Sequence, residues 1–190
     1  MSACLSIADE NGLDALTVRG VARLCKVTPM AIYRHVDSVQ GLEELAFRKA
    51  LQGMAQPDPS GDWRQQVKSI WGNFRQILQR HPGAAEVFAK RAMPTPEIIQ
   101  ATNQLFEVLE TAGHSGNAAF AAYDVTFIFT LGSIRFDLTR AADARRGLAE
   151  APRMATNLEA LSRYTDQLSS RDADAKFDAG LDMILRGLSR

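Results

Sequence analysis

With 190 residues, 46% of them hydrophobic, the chain can bury a substantial core as one large or two small domains, which excludes disorder as the default. Its 22 basic and 22 acidic residues cancel to a formal charge of zero, which excludes a protein that coats nucleic acid indiscriminately. Two cysteines, Cys4 and Cys25, are too few and too far apart for a disulfide scaffold or a metal site, so a reducing cytoplasm is the simpler compartment.

Residues 2–11 read as a short first helix, with Leu5 and Ala8 inward and Gly12 as its stop. No basic residue precedes Arg19, so no signal peptide is expected. Thr17 can cap a helix whose Val18, Val21, Ala22 and Leu24 fall at helical spacing, and a break follows at residues 25–27. Thr28 then caps a second helix, with Pro29 in its first turn, where the missing N–H costs nothing. Two short helices joined by about three residues make a helix-turn-helix, in which the second helix lies in the DNA major groove. Thr28, Pro29, Met30, Tyr33 and Arg34 would face outward there, with Ile32 and Val36 inward. Residues 17–36 carry Arg19, Arg23, Lys26 and Arg34 and no acid, a local basic excess that a dimer would double.

Ser38 caps a further helix with Leu42, Leu45, Ala46 and Leu51, expected to end near the Pro/Gly-rich linker at 56–61. That linker is the clearest boundary, dividing a reading head at 1–45, with its connecting helix to 56, from a second domain at 57–190. Asp62 and Gln65 suggest a capping box that opens a helix with Trp63, Val67, Ile70, Trp71, Phe74, Ile77 and Leu78. Pro82 starts a short helix with Ala85, Val87 and Phe88, and Thr95-Pro96 starts one with Ile98, Ile99, Leu105, Leu109 and Ala112. Over residues 115–140 two stripes emerge, Phe120, Tyr123, Phe127, Leu131 and Ile134, and Ala122, Val125, Phe129, Ser133 and Phe136. A helix apolar nearly all round is buried on more than one side. The apolar run 125–134, bounded by Asp124 and Arg135, is too short to span a bilayer, so no membrane partner is expected. Residues 141–152 read as a connection. The chain closes with stripes Met154, Leu158, Leu161 and Leu168, then Phe177, Leu181, Ile184 and Leu188. Strand alternation is absent, so the fold should be all-α: a three-helix helix-turn-helix domain followed by a helical second domain.

The strings LTVRGVA at 16–22 and AIYRHV at 31–36, with the D-S-x-x-x-L connection at 37–42, resemble the tetracycline-repressor (TetR) family of bacterial transcription regulators. The likeness continues more weakly through WRQQVKSIWGNFRQIL, HPGAAEVF and FTLGSI. It implies a ligand-responsive repressor that binds double-stranded DNA at a pseudo-palindromic operator as a homodimer. By this resemblance Arg19 and the early residues of the second helix face bases, while Thr17, Tyr33 and His35 lie near the backbone. The expected DNA-contacting set is therefore Thr17, Arg19, Lys26, Thr28, Pro29, Met30, Tyr33, Arg34 and His35. Three positions depart from the family pattern. Lys26 replaces the usual turn glycine, so the turn must avoid a positive φ or bear its strain; Val36 replaces a phenylalanine; and Val39 replaces a phosphate-gripping lysine. The first helix is also shorter than is usual in the family, so no minor-groove arm contact is expected.

The resemblance places Ile70, Phe74, Phe88, Gln104, Phe120, Tyr123, Asp124 and Phe127 at effector-facing positions of a ligand-binding and dimerisation domain. Independently, Phe120, Tyr123, Asp124 and Phe127 share one helical face, as a pocket wall requires. Asp124 is the sole charge between residues 118 and 134 and calls for a basic group, a hydroxyl or a ligand. The family's metal-binding histidine is replaced by Phe88, so the expected effector is a hydrophobic or aromatic molecule, a cationic one included, rather than magnesium-tetracycline. Phe129, Phe136, Phe177, Leu181 and Ile184 are the expected dimer contacts, since the family pairs its long and last helices as a four-helix bundle. No metal, cofactor or enzymatic activity is expected: His35, His81 and His114 lack metal-site spacing, neither cysteine has a neighbouring base, and no phosphate loop occurs. The alternative from another class is a helical ligand-binding or protein-interaction module that has lost operator binding, motivated by Lys26, Val39 and the short first helix.

Overall fold

A computed structural model describes residues 1–54, 56–91, 93–138, 150, 158–169 and 172–188. Among the described residues every regular element is helical. They group into two compact units, Met1–Asp124 and Val125–Arg190.

The first unit opens with α1 (Ser2–Asn11), which buries Cys4, Leu5 and Ala8 and stops at Gly12, whose φ of 77° suits glycine. Burial raises the thiol pKa of Cys4 above its ordinary value. After a 3₁₀ turn at Leu13–Ala15 come α2 (Val18–Cys25) and α3 (Pro29–Tyr33), the two helices of the helix-turn-helix. Thr17 Oγ1 accepts from Gly20 N at 3.0 Å and Thr28 Oγ1 from Ala31 N at 3.3 Å, so both sequence-expected caps form. Leu24, which shares their helical spacing, is 54% exposed, while Val18, Val21 and Ala22 form the buried face of α2.

The turn bears the strain that its sequence implied. Lys26 adopts φ 56° and ψ 40°, the one positive φ outside glycine among the described residues. Its N–H reaches Arg23 O at 3.2 Å while Val27 N–H reaches Ala22 O at 3.0 Å, the paired bonds of a Schellman ending. A side chain in this region costs about 1 kcal/mol relative to glycine. Lys26→Gly is therefore expected to stabilise the fold by about 1 kcal/mol in urea denaturation while weakening binding to DNA; a destabilised variant would refute the strain.

Ser38 caps α4 (Val39–Leu51), accepting from Gly41 N at 3.2 Å. The helix ends at Leu51 rather than near residue 56, since Gly53 turns the chain at φ 81°. Its buried face includes Phe47, which is fully enclosed. α5 (Trp63–Arg80) is capped by Asp62, which accepts from Arg64 N at 3.1 Å. The reach back comes from Gln66, not Gln65: its Nε2 donates to Gly61 O at 2.8 Å. α6 (Pro82–Lys90) and α7 (Pro96–Thr111) follow, the latter capped by Thr95.

α1 packs on α4 and α6, and α4 packs on α6. The approach of α6 to α1 demands glycine at 83, where a Cβ would lie 2.6 Å from Ala8 Cβ. Asp9 completes the junction: one carboxylate oxygen accepts from Gly83 N at 2.9 Å, and the other pairs with His81 Nδ1 at 2.7 Å.

α8 (Asn117–Leu138) runs from the first unit into the second. Its buried ridge is Ala119, Ala122, Thr126, Thr130 and Ile134, mostly small residues, which takes only Ile134 from the first expected stripe and Ala122 from the second. Small side chains let neighbouring elements approach closely, and Thr130 Oγ1 satisfies itself on Thr126 O at 2.8 Å. The apolar run between Asp124 and Arg135 is only part of this helix. Asn117–Phe136 is long and apolar enough, by length and composition, to cross a membrane, a test that core helices also pass.

In the second unit, the expected penultimate helix appears as α9 (Glu159–Ser162) and α10 (Thr165–Ser169), interrupted at Arg163 and Tyr164. Met154 and the expected connection at 141–152, save residue 150, lie outside the described residues. In α11 (Ala173–Gly187), Phe177, Leu181 and Leu185 are buried and Ile184 is half-buried. Phe129 and Phe177 stack with ring centroids 5.6 Å apart, and a Cβ on Gly180 would overlap the Phe129 ring.

Candidate DNA-binding surface and effector cavity

All nine residues of the expected DNA-contacting set are exposed: Thr17, Arg19, Lys26, Thr28, Pro29, Met30, Tyr33, Arg34 and His35. α3 buries none of its residues fully. Five residues cannot hold a helix unaided; the Thr28 cap and Pro29 fix its first turn, while half-buried Ile32 and buried Val36 anchor the other end. Val36 sits tightly, since a Cβ on Gly41 would lie 3.1 Å from Val36 Cβ. Between the cations stand exposed Leu24, Val27, Met30 and Tyr33, with Met30 68% exposed. Basic side chains suit phosphates and guanine edges, and apolar ones suit the thymine methyl group.

In the same unit a cavity of about 140 Å³ opens between α4, α5 and α7. Leu51, Met54, Ile70 and Ala101 give it apolar walls, and Gln56, Gln100 and Gln104 supply amides. Glu97 is the single ionisable group in its lining. Of the expected effector residues, Ile70 and Gln104 meet here.

The others fall elsewhere. Phe74 and Phe88 are edge to face at 5.2 Å, and Phe88 also stacks on Phe47 of α4 at 5.4 Å. Phe74 meets Trp71 at 6.4 Å, and Trp71 meets Tyr123 at 6.1 Å. Tyr123 lies 5.1 Å from Phe106 and 6.5 Å from Phe120, itself 59% exposed. A continuous aromatic path thus joins the connecting helix to the first turns of α8. Asp124 and Phe127 are half-buried on α8, Phe127 within the second unit.

Several charged groups that hold these elements escaped sequence reading, because only the fold brings them together. Glu43 of α4 pairs with Lys90 at 3.8 Å and Arg91 at 3.7 Å, and Arg91 also donates to Gln40 O at 2.9 Å. Arg48 Nε of α4 faces Glu97 Oε2 of α7 at 3.7 Å. Both atoms are sealed from solvent and neither has a hydrogen-bond partner among the described residues, an arrangement that leaves buried polar groups short of a bond. Arg75 is almost fully buried on α5, where a charge in an amphipathic pattern reads as surface. No cluster of three metal-ligating side chains occurs among the described residues.

The expected dimer residues also divide. Phe177 and Leu181 are buried within the protomer; Phe129, Phe136 and Ile184 are half-buried. The exposed large apolar residues of the second unit, among those described, are Val125, Ile128, Tyr164 and Met183.

Residues 56–190 match the family described as tetracyclin repressor-like, C-terminal domain. The chain is 27% identical to the class A tetracycline repressor protein of transposon 1721 from Escherichia coli, over 99% of its own length and 88% of the relative's. It superposes on Streptomyces coelicolor ActR, solved with actinorhodin, at a TM-score of 0.82 and 27% identity, covering 98% of this chain and 92% of ActR. The ActR complex with (S)-DNPA gives a TM-score of 0.78 at 27% identity, covering 98% and 93%. A helix-turn-helix with an outward basic face, a helical body behind it and a family match over most of the length converge: the chain belongs to the TetR family of transcriptional regulators, DNA-binding proteins that are not enzymes.

Proposed function

We propose that the chain is a homodimeric repressor that releases a pseudo-palindromic operator when a small hydrophobic or aromatic effector binds, and that it works in the cytoplasm. The observation that carries this reading is the solvent-facing set from Thr17 to His35, basic and free of acids, on a chain with no net charge. Two α3 helices would enter successive major-groove faces, so their separation decides affinity. Arg19 reads a base; Thr17, Tyr33 and His35 position the phosphate backbone.

Val125, Ile128 and Met183, flanked by Phe129, Phe136 and Ile184, form the surface that a second copy would cover. Phe177 and Leu181 support it from inside the protomer. Ile70 and Gln104 contact the effector directly, while Phe74, Phe88 and Tyr123 connect its site to α4 and α8. Phe120 and Asp124 are the effector contacts that α8 would contribute from the first unit. Phe88 stands where tetracycline repressors carry a metal-binding histidine, so magnesium-tetracycline is not the proposed effector. ActR supports the general scheme, having been solved with actinorhodin bound. Reversing a 99:1 preference for the DNA-binding conformer requires an effector with roughly 10⁴-fold preference for the other.

Selection of bound sequences from random DNA tests the reading. An inverted repeat should emerge, and Arg19→Ala should lose about 1 to 3 kcal/mol of discrimination per half-site against random DNA. Equal loss on both DNAs would make Arg19 a phosphate contact. Failure to enrich any sequence would favour the module that has lost operator binding.

A further inference from the structure

Glu97 stands at the meeting point of two features. It lies in the first turn of α7, contributes the one ionisable group to the cavity lining, and faces Arg48 on the connecting helix α4. At 3.7 Å the Arg48 Nε to Glu97 Oε2 approach is too long for a hydrogen bond, and neither buried atom has another partner among the described residues. Attraction holds the pair together, yet the carboxylate keeps unused acceptor capacity.

The cavity narrows what can use that capacity. Its remaining polar lining is three neutral glutamines, so Glu97 is the one charge that the lining itself presents, with the Arg48 guanidinium beside it. Its volume of about 140 Å³ is of the size that holds one benzene ring, in a pocket that is open to solvent and mixed in polarity rather than enclosed and apolar. Leu51, Met54, Ile70 and Ala101 provide the apolar wall for such a ring.

We propose that Glu97 is the effector-sensing group, that it takes a small arylalkyl ammonium cation, and that this cation displaces Arg48 and so frees α4 at its C-terminal end. The inference rests on the reading of the chain as a ligand-responsive DNA binder and adds the ligand's charge class and the contact through which occupancy is felt. An ammonium in the cavity that hydrogen-bonds the Glu97 carboxylate makes a charge-assisted bond, stronger than the unbonded approach of Arg48. It also places a second cation beside the Arg48 guanidinium, so Arg48 loses its attraction to α7. α4 keeps its packing on α1 and α6, including Glu43 with Lys90 and Arg91 and Phe47 with Phe88, and loses its ion pair to α7. Arg48 lies in the last turn of α4, so the loss is felt at the end that faces the effector.

The test uses the full chain and three probes of one size: benzylamine, benzyl alcohol and benzoate. Calorimetric titration should rank benzylamine about tenfold or more tighter than benzyl alcohol, with benzoate weakest. Glu97→Gln should erase that ranking while leaving benzyl alcohol binding intact, and Arg48→Gln should tighten benzylamine binding by removing its competitor. Equal affinity for all three probes, no binding of benzylamine, or a ranking that survives Glu97→Gln would each overturn the proposal. On the selected operator, benzylamine should weaken retardation of the wild-type protein, whereas Glu97→Gln and Arg48→Gln, which lack the ion pair, should already bind more weakly without ligand and respond no further to it. Glu97-dependent binding with unchanged DNA affinity would overturn the displacement of Arg48 as a signal. Absence of DNA binding by the unliganded protein would overturn the regulator reading instead, and calorimetry would still decide the amine site. Circular dichroism checks that both variants remain folded.

Discussion

Operator affinity should fall by about 10³ to 10⁵ between 50 and 200 mM salt, if a dimer makes roughly six to ten phosphate contacts. Each protomer offers Arg19, Arg23, Lys26 and Arg34 within residues 17–36, with no acid among them. The rest of the chain must then carry a compensating acidic excess, because basic and acidic residues balance at 22 each. Attraction to DNA is therefore local to the reading face, and its salt dependence reports directly on the phosphates gripped there. Plotted against log salt, log K should have a slope near −0.9 per phosphate contact. Replacing Lys26 should make that slope shallower by about one unit for each phosphate left ungripped. A flat response would remove DNA binding as the activity, however well the fold matches.

Phe47→Ala should cost about 3 to 5 kcal/mol, the largest effect on stability expected of a single truncation here. Phe47 is fully enclosed and stacked on Phe88 with an interplanar angle of 18°, and Phe88 in turn meets Phe74 edge to face at 77°. Truncation would open a void on α4 and remove a ring pairing worth about 0.5 to 1.5 kcal/mol beyond burial. Chemical denaturation measures the loss, with Phe47→Leu expected to cost much less because it fills most of the space. Similar stability of the alanine variant and the wild type would mean that the stack is not what joins α4 to α6.

Local rules made the reading head legible. Thr17, Thr28 and Ser38 are caps because each sits just ahead of an apolar periodic run, and all three caps form. Gly12 stops α1 and Pro29 starts α3 for reasons confined to a few bonds. Lys26 was legible in a conditional way: its side chain conflicts with a tight turn, and the fold resolves the conflict in favour of the turn. Legibility failed where a residue's environment is set by distant chain. Leu24 fits the spacing of α2, yet Val18, Val21 and Ala22 form its buried face. α8 is so apolar that period alone cannot choose a side, and the small residues Ala119, Ala122, Thr126 and Thr130 took the interior while Phe120 remained in solvent.

Little of the cavity was legible, and its charge was not. Ile70 and Gln104 were expected among effector-facing residues, whereas Glu97 in a first turn looks like an ordinary helix-dipole partner. Arg48 looks like a surface residue near a helix C-terminus for the same reason. Their meeting, like that of Asp9 with His81 and Gly83, joins positions far apart in sequence, and no local pattern encodes it.

The close fit of Gly83 against Ala8 bears on how reading heads can be exchanged between regulators. A hybrid cut at the Pro/Gly linker of 56–61 would part α1 from α6 and Phe47 from Phe88, leaving a donated head on a body whose surface was shaped for another. The transplantable piece includes α6 as well as the helix-turn-helix. A grafted sensor built on this chain should carry its own helix α6 or have Ala8, Asp9 and Phe47 recut to the new host.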